Sequence, residues 1–103
     1  MRLYHSTSQE AASQILEAGF EDRLYYGIAS GVFFSDRPLD AGDGVAASAE
    51  AVIVIECKLS ADQLDGFEVI VDDRPPEAYR EWLIPAALAN QMPRELWTDP
   101  ELD

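Results

Sequence analysis

Cysteine and histidine are almost missing from this chain: Cys57 and His5 stand alone among 103 residues. One thiol cannot close an internal disulfide, and one imidazole with one thiol cannot assemble a Cys/His zinc site, so no metal is expected. Bases are scarce too, with seven Lys and Arg against twenty Asp and Glu and a net charge of −13. Such a field repels nucleic-acid phosphates and disfavours DNA or RNA as a partner; it also opposes any anionic ligand unless local donors overcome it. No apolar run approaches the roughly 18 residues of a membrane span. Met1-Arg2-Leu3 leads straight into a strand-like segment without a charged-then-apolar leader, so a cytoplasmic protein with no membrane partner is expected. Repeats and low-complexity blocks are absent as well.

What remains is the composition of a folded domain, 48% hydrophobic and 10% aromatic. The length fits one domain near the lower end of what buries a self-sufficient core. Residues 1–92 are expected to form it, with 93–103 as an acidic, Pro-punctuated tail that frays. After an opening strand, Thr7 and Glu10 have capping-box spacing, and Ala11, Ala12, Ile15 and Leu16 share a helical stripe. Gly19 stops that helix in a left-handed conformation, with Phe20 as the apolar contact. Residues 21–30 read as a loop carrying Tyr25, Tyr26 and Gly27, and Val32–Ser35 as a buried strand closed by Asp36, Arg37 and Pro38.

Asp40 to Ala51 is a Gly- and Ala-rich connection with room for a short helix. Val52–Leu59 is the clearest strand, β-branched and suited to the centre of a sheet, which makes Cys57 a buried inert thiol. Ser60 caps a short turn of helix over Ala61–Leu64, Phe67–Val71 reads as a strand and Asp72–Pro76 as a loop. A strand over Tyr79–Ile84 precedes a helical turn over Pro85–Asn90 with Pro at its first position. The class is α+β, mostly strands, with one N-terminal helix and short additional helices.

Three segments carry chemistry: Leu3-Tyr4-His5-Ser6-Thr7, Gly31-Val32-Phe33-Phe34-Ser35-Asp36 and Glu81-Trp82-Leu83-Ile84. Taken singly each has a plain structural explanation. His5 reads as a hydrogen-bonded structural residue, Phe33 as strand core, and Glu81 as a strand-end acid paired with Arg80. Gly42-Asp43-Gly44-Val45-Ala46-Ala47 imitates a dinucleotide-binding turn, but it follows no apolar strand and puts Asp43 where a pyrophosphate would lie, so it reads as a turn into a helix.

Taken together and in this order, the three segments resemble the signature strands of the ADP-ribosyltransferase superfamily, in the His-Tyr-Glu branch of poly(ADP-ribose) polymerases and diphtheria-toxin-like enzymes. The resemblance implies a small split β-sheet core, NAD as co-substrate and no metal. It implies that His5 hydrogen-bonds the adenosine ribose, that Ser6, in the usual Gly place, grips the nicotinamide carboxamide through its backbone, and that Thr7 and Ser35 line the cofactor. Phe33 falls on the triad Tyr, where its face can stack on nicotinamide without the phenol hydroxyl, and Tyr26 would supply a second aromatic wall. Glu81 would favour the oxocarbenium-like charge that develops on the ribose as neutral nicotinamide departs. Pyrophosphate contacts would come from Arg23 or Arg37.

The branch that modifies arginine has an acid two residues before the catalytic Glu; here that place is Tyr79, which argues against an arginine acceptor, though Glu77 or a displaced loop could compensate. The resemblance implies an ADP-ribosyltransferase, and so short a domain has little room for a second ADP-ribose site. A mono-ADP-ribosyltransferase is therefore expected, acting on a protein or small molecule in preference to nucleic acid, with an antidote or regulatory protein as a compatible partner. The alternative is a catalytically degenerate NAD- or ADP-ribose-binding or protein-interaction module of the same fold.

Overall fold

A computed structural model describes residues 1–25, 29–38, 51–70 and 79–97. Tyr26, Gly27, the connection through residue 50 with its Gly42–Ala47 turn, Val71, the 72–76 loop, Glu77 and residues 98–103 lie outside the described residues. The elements are β1 (Arg2–Thr7), α1 (Gln9–Ala18), β2 (Arg23–Tyr25), β3 (Ala29–Ser35), β4 (Ala51–Glu56), α2 (Ala61–Asp65), β5 (Glu81–Ile84), α3 (Ala86–Ala89) and β6 (Arg94–Leu96). They make an α+β domain with one six-stranded antiparallel sheet of order β2-β3-β1-β4-β6, and β5 pairs with β3 off that path. Among the described residues no helix is long and apolar enough to cross a membrane.

Alternation along each strand decides which side chains enter the core. Leu3, Val32, Phe34, Ile53, Ile55, Trp82 and Ile84 share one buried face, on which Ala12 of α1, Phe20, Leu64 of α2, Ala86 and Ala89 of α3, and Met92 pack. Strand β4 carries the β-branched run and lies between β1 and β6, the interior place that its composition predicts. Cys57 is buried and free. Of the expected Phe67–Val71 strand, the described part borders β5: Val69 N donates to Glu81 O and Leu83 N to Phe67 O, with a single bridge between Glu68 and Trp82.

Several local expectations shift. Strand β1 keeps Thr7 extended opposite Ala51, so the helix cap moves one residue on and Ser8 Oγ accepts from Ala11 N at 3.1 Å. Leu16 is left exposed, because the buried stripe of α1 is centred on Ala12 and Ile15. The reciprocal capping box belongs instead to α2, where Ser60 and Gln63 satisfy each other's backbone N–H groups. Pro85 stands at the N-cap of α3 and not inside it. The expected loop over 21–30 contains β2, a three-residue strand too short to announce itself by composition. Arg94–Leu96, expected in the fraying tail, forms β6 because the outer edge of β4 needs backbone partners; Arg94 Nε also donates to Ile15 O at 2.8 Å, closing the end of α1.

Gly19 ends α1 as expected, but with φ 98° and ψ 175° it lies in the mirror-extended region and not in the left-handed helical one. Only glycine adopts that region without strain. A Cβ there would also stand 2.8 Å from Asn90 Oδ1. Gly19→Ala should therefore lower unfolding free energy by about 1–3 kcal/mol, read as a drop in the urea midpoint at unchanged m-value.

Candidate functional site

Strands β1 and β3 are registered through one pair, Tyr4 opposite Ser35. Beyond it β1 stays with β4 through Thr7, while β3 runs on with β5 and β2, so the sheet parts like a fork. His5 stands where it parts. Its Nδ1 lies 2.8 Å from the Phe33 carbonyl oxygen, and its ring meets Phe20 edge-on at 5.7 Å and Phe34 at 5.8 Å. A carbonyl only accepts, so Nδ1 carries the proton and Nε2 of the neutral ring is an acceptor. Burial pushes the His5 pKa below its ordinary value; the Phe33 carbonyl pulls it up, and Arg23 pushes it down again.

Beside this imidazole lies a hollow of about 300 Å³. Its floor is the α1 stripe Ala11, Gln14, Ile15 and Ala18, one helical face at spacings of three and four. Its other walls are Thr7 of β1, the Gly19–Glu21 turn, Arg23 of β2 and Val32 of β3. The volume is at the lower end for small-molecule sites. An imidazole, a hydroxyl, an amide, one guanidinium and the Glu21 carboxylate arranged around an apolar floor suit a ligand with hydroxyl groups and a flat apolar part; the carboxylate beside Arg23 opposes an anionic group there.

The expected site residues divide between two faces of the sheet. His5 shares the core face with Leu3 and Phe34, and with Thr7 it lines the hollow. Phe33 alternates with the buried Val32 and Phe34 and so projects from the opposite face, as does Glu81, which is registered opposite Ser35. Neither Phe33 nor Glu81 is among the lining residues of the hollow. A single cleft lined by imidazole, phenyl face and carboxylate is thus not what forms; the link between His5 and Phe33 runs through a backbone carbonyl.

Ser35 is also different from expectation. It is buried, and its hydroxyl faces Arg37 O at 2.7 Å and Tyr4 O at 3.2 Å, so it ties the seam and the following turn together instead of facing a cofactor. Ser6 is opposite Val52 on the second face, with its Oγ buried and without a hydrogen-bond partner among the described residues. Arg80 pairs with Glu68 at 2.8 Å and stacks over Trp82 at 5.0 Å, so its guanidinium is held by an acid other than Glu81. Of the two arginines expected at a pyrophosphate, Arg23 lines the hollow and Arg37 does not. Gln14, Glu21 and Val32 were not foreseen; Ala11, Gln14, Ile15 and Ala18 could have been found from the helical stripe that abuts the His5 strand.

No protein-family profile, curated protein or solved structure matches the chain.

Because His5 binds its proton less tightly folded than unfolded, the unfolded chain takes up more protons as pH falls through the ordinary histidine value of 6.5. Stability from this source is complete above that value and lost below it. Glu56 beside Arg2 and Glu68 beside Arg80 are also held low, but their contributions are lost only below the ordinary carboxylate value of 4.5. Urea unfolding between about pH 7 and about pH 5 should show stability falling with pH in wild type, and His5→Gln should flatten that slope.

Proposed function

We propose that the chain is a mono-ADP-ribosyltransferase that binds NAD across the fork and passes ADP-ribose to an acceptor. The observation that carries the reading is the side-by-side placement of three segments remote in sequence. Leu3–Thr7, Gly31–Asp36 and Glu81–Ile84 lie on or at the ends of neighbouring strands β1, β3 and β5, with the sheet parting at His5. An arrangement of this kind supports the reading, since the resemblance implies a sheet that splits beside the first of the three segments.

In this reading the adenosine half occupies the hollow. His5 Nε2 accepts a ribose hydroxyl, the apolar floor of α1 carries the base, and Arg23 meets the pyrophosphate against the unfavourable field of the acidic surface. Glu81 stands two strand spacings from β1, about 10 Å, and leaves from the face opposite the hollow, so the nicotinamide ribose must pass through the parting of the strands to meet it. The glycosidic C–N bond breaks with its electron pair passing to the nicotinamide ring, which leaves neutral. The cationic ribose carbon, favoured by the Glu81 carboxylate, then takes a lone pair from the acceptor, which releases its proton to solvent. The acceptor is a protein side chain or small molecule in the cytoplasm, and an antidote or regulatory protein would act on the same site.

One observation favours a second reading, an NAD- or ADP-ribose-binding module without catalysis: Phe33 lacks the hydroxyl and, with Glu81, leaves from the face opposite His5. Incubation with adenylate-labelled NAD and cell extract separates the two. The transferase reading expects label on an acceptor with nicotinamide released, and a loss of about 10²-fold or more in Glu81→Gln, the scale for removing one electrostatic stabiliser. Equal labelling by wild type and Glu81→Gln contradicts the role of Glu81. Binding heat with NAD but no nicotinamide release establishes the module.

A further inference from the structure

The wall of the His5 hollow is not held by its own chain neighbours. Asn90, the residue after α3, accepts from Phe20 N through Oδ1 at 2.7 Å and donates from Nδ2 to Phe20 O at 3.0 Å. Two positions on, Asp22 Oδ1 accepts from Ala86 N at 2.8 Å, taking up an N–H at the start of α3. Gly19 makes room for this arrangement, since any Cβ there would strike Asn90 Oδ1. Helix α3 in turn follows β5 directly through Pro85. The turn that walls the hollow is therefore hung on the end of the strand that carries Glu81. Phe20, the residue so clamped, is the ring that meets His5 edge-on and also packs on Phe34 at 5.2 Å.

We propose that Asn90 is a positioning residue of the site: by gripping both backbone groups of Phe20 it fixes the Gly19–Arg23 wall against His5 and ties the hollow to the Glu81 strand. Asparagine suits the task because its amide supplies one acceptor and one donor on the same plane, matching the C=O and N–H of one residue. Aspartate could keep only the bond to Phe20 N, and would add charge beside Glu21 and Asp22. Nothing in the pattern of the sequence announces this, because Asn90 follows a helix as an ordinary terminating residue and its partner is seventy positions away.

The link to NAD rests on the proposed function, but the positioning role has its own readout. His5 is the single histidine, so its ring resonances titrate without overlap in a proton NMR spectrum of the intact chain. Around it stand Phe33 and Phe34 of β3, Phe20 of the turn, Ile53 of β4 opposite, and two charged groups of the hollow, Arg23 of β2, which bears on its protonation, and Glu21 of the turn. Asn90→Ala should release Phe20, admit water to the imidazole and move the His5 titration up toward its ordinary value. Asn90→Asp, which keeps one of the two bonds, should move it less and covers the case in which the alanine variant does not fold. Leu64→Ala, a core truncation in α2 away from the hollow lining, should lower thermal stability and leave the His5 titration unmoved.

An unmoved His5 titration in the folded Asn90 variants, or an equal shift in Leu64→Ala, overturns the proposal. NAD affinity by calorimetry on the same proteins forms the second arm, with a loss of about tenfold or more expected in Asn90→Ala, the scale of one net hydrogen bond. If wild type binds no NAD while the titration still moves, Asn90 keeps its positioning role and the proposed function falls. If wild type binds NAD and Asn90→Ala changes neither readout, the proposed function stands and the role of Asn90 falls.

Discussion

The seam between β1 and β3 is the constraint on which the site depends. It consists of the Tyr4–Ser35 pair, the Ser35 hydroxyl between Tyr4 O and Arg37 O, and the His5 Nδ1–H bond to Phe33 O. Antiparallel neighbours ordinarily satisfy each other residue after residue. Here an imidazole serves the Phe33 carbonyl across the place where the strands part. A net intramolecular hydrogen bond contributes about 0.5–1.5 kcal/mol, so His5 has a structural role at the fork before any ligand is considered. That same bond sets the tautomer and turns Nε2 into an acceptor. Structural need and chemical availability are thus two ends of one ring.

Burial on the core face anchors the rest. Trp82 is fully buried, and at roughly 25 cal/mol per Å² an indole contributes about 4–6 kcal/mol of transfer free energy. Its Nε1 has no hydrogen-bond partner among the described residues, a cost of about 1–3 kcal/mol; burial wins, and the Arg80 guanidinium over the ring adds to it. Gly31, with φ 156°, lets Leu83 and the Ile84 backbone approach to within about the distance a Cβ would need. Strand β5 can therefore lie tight against β3, which brings Glu81 opposite Ser35. The acid reaches its place through packing of Trp82 and Ile84, not through any pull from His5.

Periodicity made much of this legible. The β-branched run of β4, the apolar run Trp82–Ile84 and the Ala/Ile stripe of α1 each follow from local pattern, and all three elements form. Strands β2 and β6 could not be read, because three residues carry no period and their pairing is decided by free edges of β3 and β4. The cap of α1 moved from Thr7 to Ser8 because a strand that still has a partner outcompetes an early helix start. His5 and Thr7, which line the hollow, were singled out through the resemblance and not by residue type. The face on which Phe33 and Glu81 leave is a matter of register, which no one-dimensional spacing shows. Ser35 looked like a ligand because a hydroxyl in a motif invites that view; its commitment to two carbonyls is visible only in three dimensions.

The central claim is that the fork beside His5 receives NAD. Residue-resolved NMR of the intact chain during titration with NAD tests it most directly. The account predicts saturable amide shifts at His5–Thr7 and along Ala11–Arg23, accompanied by His5 ring resonances that move with occupancy. A spectrum that stays unchanged at millimolar NAD, or shifts confined to the groove between β4 and β6 around Glu56 and Arg94, would contradict it.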